Sequence, residues 1–319
     1  MFTWLRNRWQ RTGMTAYLSH PDCLKHNMGV GHPECPERLT AIRDQLMAAQ
    51  LFDFLDEVEA PEVTREQLAR VHSPGYVDYL ESCAPSVGTF RLDPDTAMSP
   101  GTLPAARRAA GAVVRAVDLV LGGAAPNAFC AVRPPGHHAE SARSMGFCFF
   151  NNVAVGAAHA LAQHRLERVA IVDFDVHHGN GTEEIFKDDP RVLMVSTFQH
   201  PFYPYSGDTP LGPNMCNVPL KAGSKGDAFR AAVEAHWLPA LDAFRPQMLF
   251  VSAGFDAHRE DDMGSLGLVE ADYEWVTRQL AALAARHCQG RIVSVLEGGY
   301  ELSALARSVV AHLRVLSEA

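Results

Sequence analysis

The 319-residue chain has no apolar run long enough to cross a bilayer, no lysine- or arginine-rich block and no Cys-x-x-Cys pair. The first absence argues against a membrane-spanning helix. The second, with a net charge of −9, argues against nucleic-acid binding, which relies on a basic surface. The surface charge remains compatible with cationic substrates. Seven cysteines, an odd number without metal-site spacing, fit a reduced cytosol better than a disulfide scaffold, so a cytoplasmic protein is expected. There is no internal repeat, low-complexity tract or interdomain linker. Residues 1–13 carry three arginines among aromatics but lack the apolar centre of a signal peptide. They are expected to form a flexible extension, the alternative being weak membrane or partner contact, and residues 14–319 a single domain.

What is present is apolar: 47% of residues are hydrophobic, enough for one large core. Short strand-like runs alternate with helix-like ones at Leu103–Leu121, Val153–His164, Ala228–Phe244, Tyr273–His287 and Leu302–Leu316. Such alternation predicts a three-layer α/β fold, a mostly parallel sheet with helices on both faces. The Gly- and Pro-rich stretch 199–224 reads as a long loop. With 20–36 and 84–102 it is expected to form the rim of a site.

The chemistry gathers at the ends of the strand-like runs. Arg168-Val169-Ala170-Ile171-Val172 is followed by Asp173-Phe174-Asp175-Val176-His177-His178. In an extended chain Asp173, Asp175 and His177 point to one side. Two carboxylates and an imidazole at a buried strand end need a compensating charge, and a divalent cation supplies one. A salt-bridged strand end is the plainer alternative. Three further runs end similarly, in Arg133-Pro134-Pro135-Gly136-His137-His138-Ala139-Glu140, in Ser252-Ala253-Gly254-Phe255-Asp256-Ala257-His258, and in Glu297-Gly298-Gly299-Tyr300. Singly, His137 could be a loop histidine and Tyr300 a helix-start aromatic. Four strand ends delivering such groups to the edge where open α/β sheets bind ligands point to a site.

These residues resemble the histone deacetylase family, within the arginase–deacetylase fold, over about residues 15–316. His32-Pro33-Glu34-Cys35-Pro36-Glu37-Arg38 and Val71-His72-Ser73-Pro74-Gly75-Tyr76 are similar to its first two motifs. The stretch Arg133–Asn152, with Gly146-Phe147-Cys148-Phe149-Phe150-Asn151-Asn152, is similar to the class II branch and its bacterial relatives.

The resemblance implies Asp175, His177 and Asp256 as metal ligands. Two oxygens and one nitrogen suit Zn²⁺ and leave room for water and a substrate carbonyl, although Fe²⁺ accepts the same set. A water activated by the metal would attack an amide. The resemblance further implies His137 paired with Asp173, His138 as general base and then acid with Asn180 as its neutral partner, and Tyr300 as donor to the oxyanion. Gly146 and Phe147 match one wall of the family's substrate tunnel. Tyr203, in Phe202-Tyr203-Pro204, falls where the opposite wall more often carries Phe. A structural K⁺ is implied at an inner site of Asp173, Asp175, His177 and Ser196. An outer site would use backbone oxygens of Phe186, Asp189 and Val192.

Two differences narrow the reading. Arginases carry Asp-x-His-x-Asp, the last Asp serving a second metal, whereas here Asp175-Val176-His177-His178 is followed by Gly179. Polyamine-selective eukaryotic members carry a glutamate seven residues beyond the third ligand. That position here is Met263, an apolar, adaptable rim residue. The expected activity is therefore metal-dependent hydrolysis of N-acyl-lysine in a protein or peptide. The alternatives are hydrolysis of a small acetylated amine such as a polyamine, and a catalytically silent acyl-binding relative. A homo-oligomer is compatible with the sequence. His178 is expected to be packed rather than a ligand, His258 to be solvated, and Cys148 to pack.

Overall fold

The computed structural model describes residues 13–318, so the expected extension at 1–13 lies, but for Gly13, outside the described residues. The strands are β1 (Thr15–Ser19), β2 (Leu55–Glu59), the short pair β3 (Phe90–Arg91) and β4 (Ala97–Met98), β5 (Ala128–Cys130), β6 (Val169–Asp173), β7 (Val192–Gln199), β8 (Met215–Leu220), β9 (Leu249–Ala253) and β10 (Ile292–Leu296). Eight of them form one sheet in the order β2-β1-β5-β10-β9-β6-β7-β8, and every neighbouring pair is parallel. The central strands are buried along their whole length. That is why they read as unbroken apolar runs: a parallel sheet is covered on both faces.

The helices are α1 (Glu37–Ala48), α2 (Arg65–Leu68), α3 (Pro74–Cys83), α4 (Thr102–Leu121), α5 (Asn152–Gln163), α6 (Asn180–Phe186), α7 (Gly226–Ala232), α8 (Leu238–Phe244), α9 (Glu270–His287) and α10 (Leu302–Glu318). Helices α4 and α5 pack on each other and on the sheet, while α10 packs between α1 and α9. The arrangement is the three-layer arginase–deacetylase architecture.

Two elements differ from expectation. The stretch 199–224 is not all loop, because β8 extends the sheet beside β7. Pro219 hides it in the sequence, and an edge strand tolerates a residue without an amide hydrogen. The helix expected over Ala228–Phe244 is interrupted by a π-helical turn at Val233–Trp237. Pro239 lies in the first turn of α8, and with no N–H it cannot continue the regular ladder.

Candidate active site and metal centre

The four motif-bearing strands, β5, β10, β9 and β6, are consecutive neighbours in the sheet, so the segments leaving their C-terminal ends converge. Alternation beyond β6 sorts the side chains. Phe174 turns into a buried aromatic cluster with Phe255, Tyr273 and His312, while Asp175 and His177 turn to the opposite side.

There Asp175, His177 and Asp256 bring one ligand atom each within 4.8 Å of one another, all buried. His177 Nδ1 lies 3.0 Å from Asp175 Oδ1 and 3.3 Å from Asp256 Oδ2. Backbone donors hold the carboxylates: Gly298 N–H donates to Asp175 Oδ2 (2.8 Å) and Val176 N–H to Asp256 Oδ1 (2.9 Å). Asp256 Oδ2 is buried without a hydrogen-bond partner. Buried carboxylate oxygens are rarely left so, and an orphaned oxygen facing an imidazole nitrogen and a second carboxylate fits a cation. Gly298 keeps the cradle open, since a Cβ there would overlap both Asp256 Oδ2 and Asp175 Oδ2. The donor set suits Zn²⁺ and accepts Fe²⁺. Gly179 packs on Asp173 and His137 so closely that a Cβ would overlap Asp173 Oδ2, so the arginase aspartate would not fit there in this geometry.

The two histidines after β5 occupy different environments. His137 Nδ1 donates to Asp173 Oδ2 at 3.0 Å. Burial disfavours its charge, but Asp175 and Asp173 outweigh burial and push its pKa up to about 10. His138 is held well below the usual imidazole value by burial and by the neighbouring His137 and His177 charges. Its Nδ1 lies 2.8 Å from Asn180 Oδ1. The Asn180 amide is oriented from behind, its Nδ2 donating to Glu140 Oε1 at 2.8 Å. Oδ1 must therefore accept from His138 Nδ1–H, which leaves the Nε2 lone pair free for chemistry.

Tyr300 sits on a turn held from two sides. Asp261 Oδ2 accepts from the Tyr300 and Glu301 N–H groups, and Arg38 donates to the carbonyls of Gly299 and Glu297. Burial keeps its phenol well above the usual value, so the hydroxyl remains a donor. Arg38 belongs to a buried group in which Glu34 binds Arg133 through both oxygens and Arg38 through one. The first motif is thus a clamp between the loops after β5 and β10. The second motif supports the same region: Tyr76 Oη donates to Phe149 O (2.6 Å), and His72 Nε2 accepts from Asn151 N–H (2.9 Å).

A cavity of about 300 Å³ leads to this centre, lined by His138, Gly146, Phe147, His177, Tyr203, Met263 and Tyr300, and by Asp95, Phe202 and Asp262, which the sequence did not single out. Phe147 meets Tyr300 edge-on, Tyr203 meets His138 edge-on, and Phe202 stacks on His177 at 5.5 Å. Gly146 has φ of +56°, and a Cβ there would overlap His138, so the turn requires glycine. A larger groove of about 590 Å³ beside β2 is lined by charged groups that already pair, Arg43 with Glu57 and His20 with Glu59, and lacks convergent free groups.

Ser196 lies beside Asp173 in the register of β6 and β7, so the inner K⁺ residues are adjacent. The outer three carbonyls are not free: Asn214 Nδ2 donates into them. His178 is buried on Glu183 (2.6 Å), and Cys148 is buried with its thiol on Gly146 O, both as expected. His258 is not solvated. A bridge between His258 and Leu268 folds its loop inward and buries it 3.5 Å from Glu270. A second cluster, Asp118, His159 and His164, does not suit a metal. Arg70 donates to His159 Nδ1 (2.9 Å), so His159 Nε2 carries the proton that Asp118 accepts (2.8 Å).

Comparison with known proteins agrees with the geometry. Residues 32–316 match the model of the histone deacetylase domain. The chain is 39% identical over 313 residues to the histone deacetylase-like amidohydrolase of Pseudomonas aeruginosa, covering 91% of this chain and 82% of that one. It is 38% identical over 324 residues to the human polyamine deacetylase HDAC10, covering 95% of this chain but 48% of that protein. The crystal structure of the HDA15 HD domain superposes with a TM-score of 0.90 at 35% identity, covering 96% of this chain and 90% of that one. Motifs, architecture and relatives converge, and the chain belongs to the histone deacetylase family of deacetylases and amidohydrolases.

Proposed function

We propose that the protein is a Zn²⁺-dependent deacylase that hydrolyses the N-acyl amide of lysine side chains. The observation that carries this reading is the aromatic-lined cavity that reaches His177, which is clustered with Asp175 and Asp256, and that has His138 and Tyr300 on its wall. Its walls suit an extended alkyl chain bearing an amide at its tip. Asp175, His177 and Asp256 would hold the ion, which when bound polarises the amide carbonyl and acidifies a water. His138 Nε2 takes a proton from the attacking water and returns it to the amine as the C–N bond breaks, releasing a carboxylate and free lysine. Neutral Asn180 leaves His138 in its proton-accepting form, while Asp173, accepting from His137 Nδ1 at 3.0 Å, orients His137 beside the reacting centre. The Tyr300 hydroxyl donates to that oxyanion.

A second reading has its own support. Asp95 and Asp262 place two carboxylates on the cavity wall, and a cationic tail such as that of an acetylated polyamine would find partners there. Met263, also on the wall, offers none. The test is a turnover panel comparing acetyl-, trifluoroacetyl- and longer acyl-lysine peptides with acetylputrescine and acetylspermidine. Higher kcat/KM on acetylspermidine would transfer the conclusion to the polyamine reading, and no turnover on either class would leave an acyl-binding protein.

A further inference from the structure

We propose that the outer monovalent-cation position implied by the family resemblance is occupied in this chain by the side-chain amide of Asn214, so that the protein binds at most one K⁺. Three backbone carbonyls converge there from the end of α6, the following turn and the start of β7. Asn214 Nδ2 lies 2.8 Å from Phe186 O, 3.0 Å from Asp189 O and 2.8 Å from Val192 O. These are ordinary N–H···O distances. A cation held by the same oxygens would coincide with the nitrogen.

The amide answers the same electrostatic need as an ion. Three carbonyl dipoles aimed at one point require positive charge density, and an NH₂ group supplies two hydrogens, one of them shared between two acceptors. Asn214 is placed by the sheet: its own carbonyl accepts from Met194 N–H at 3.0 Å, one residue before β8 begins. The side chain thus ties β8 to the α6–β7 connection, a tie an exchangeable ion would otherwise make. Its orientation is the decisive feature. With the amide reversed, Oδ1 would join three other oxygens around one point, an arrangement that only a cation could relieve. In the orientation found, Oδ1 points away, buried and without a partner, beside Gly212. One unpartnered acceptor is set against three N–H···O contacts, two of them to carbonyls that also accept from the backbone, Phe186 O from Asp189 N–H (3.0 Å) and Asp189 O from Val192 N–H (3.1 Å).

K⁺ stoichiometry is read independently of the activity and of the divalent metal. It is tested on the full chain, exchanged into tetramethylammonium chloride and equilibrated with KCl at constant ionic strength. K⁺ per chain is read by emission spectroscopy after dialysis, and thermal melting is followed against KCl. Wild type should retain no more than one K⁺. Asn214→Asp puts carboxylate oxygens where the hydrogens were. It should melt lower without K⁺, recover in KCl and retain one more K⁺ than wild type, because ligand binding to the folded state raises stability by mass action. Two K⁺ on wild type would overturn the proposal and make Asn214 Oδ1 a ligand. An N214D melt that equals wild type without K⁺ would overturn it as well. Should N214D not accumulate folded, the wild-type stoichiometry decides.

Discussion

The contact behind His138 yields a prediction whose sign and size follow from two distances. Asn180 Oδ1 lies 2.8 Å from His138 Nδ1, and Asn180 Nδ2 lies 2.8 Å from Glu140 Oε1. Replacing Asn180 by Asp would give His138 a charged partner. At roughly 4 Å between charge centres and an effective dielectric constant near 20, the attraction is about 4 kcal/mol. At about 1.4 kcal/mol per pH unit that bounds the shift near 3 units, within the usual range of about 1–3 for such pairs. The single substitution, however, sets that new carboxylate against Glu140 at hydrogen-bond distance. Two carboxylates so close cannot both ionise, and a shared proton would cancel much of the charge.

N180D alone should therefore move the acidic limb of the kcat/KM profile by less than about one unit. Adding Glu140→Gln supplies an amide donor in place of the opposing charge and should move the limb up by about 1–3 units. The direction is fixed. A raised His138 pKa means the basic form is lost at higher pH, so activity is lost earlier as pH falls. The assay is the pH dependence of kcat/KM on an acyl-lysine peptide with metal-loaded enzyme. If the single variant shifts the limb as far as the double, Glu140 does not face Asn180. If neither shifts it, His138 is not the titrating base.

Four further outcomes are expected. Tyr300→Phe should lower kcat by about 10²–10³ with little change in affinity for a substrate-like inhibitor, as for loss of one oxyanion donor; an unchanged kcat removes Tyr300 from the mechanism. Before a metal binds, Asp175 and Asp256 outweigh the burial of His177 and hold it protonated to about pH 10. Zinc uptake at pH 8 should thus release at least about one proton, and affinity should rise with pH; calorimetry in buffers of different ionisation enthalpy reads this, and Asp256→Ala should abolish most of the binding. Glu34→Gln leaves the buried Arg133 and Arg38 short of charge and should cost about 3–5 kcal/mol in urea unfolding. Met263→Glu should raise the ratio of kcat/KM on acetylspermidine to that on acyl-lysine peptide, and a ratio that does not respond would place residue 263 away from the bound substrate.

What the sequence disclosed and what it hid divide along a physical line. Strand ends carrying Asp175, His177, Asp256 and Tyr300 were legible because burial makes the strands uniformly apolar and the chemistry interrupts them abruptly. Four such interruptions on neighbouring strands required only the parallel order. The supports were not legible, because each depends on contacts between distant segments. Arg38 reaches Gly299 across 261 positions, and although it closes the first motif, nothing in that motif shows which carbonyls it holds. Asp261 reads as one of a charged run, Arg259-Glu260-Asp261-Asp262, yet it holds the Tyr300 turn while Asp262 beside it faces the cavity. β8 was concealed by its proline. The Asn214 contact was invisible for a further reason: its partners are carbonyls, which every residue carries.

The same division separates the centre of the site from its rim. The proposed reacting groups lie just beyond the ends of sheet strands, whereas the cavity mouth is built by the connecting segments. Here those segments supply aromatics at Phe147 and Tyr203, a thioether at Met263 and carboxylates at Asp95 and Asp262. Asp95 is partly committed: its Oδ1 accepts from Thr96 Oγ1 and Gly146 N–H, which ties it to the turn behind Phe147. Asp262 is exposed, so water screens it and its attraction for a cationic tail is correspondingly weak. A carboxylate that is half engaged and another that is screened would steer a positively charged substrate, if one is used, toward the mouth without clamping it. Lysine in a basic peptide context meets that requirement as well as a polyamine does, and the apolar walls then favour the substrate whose chain fills them.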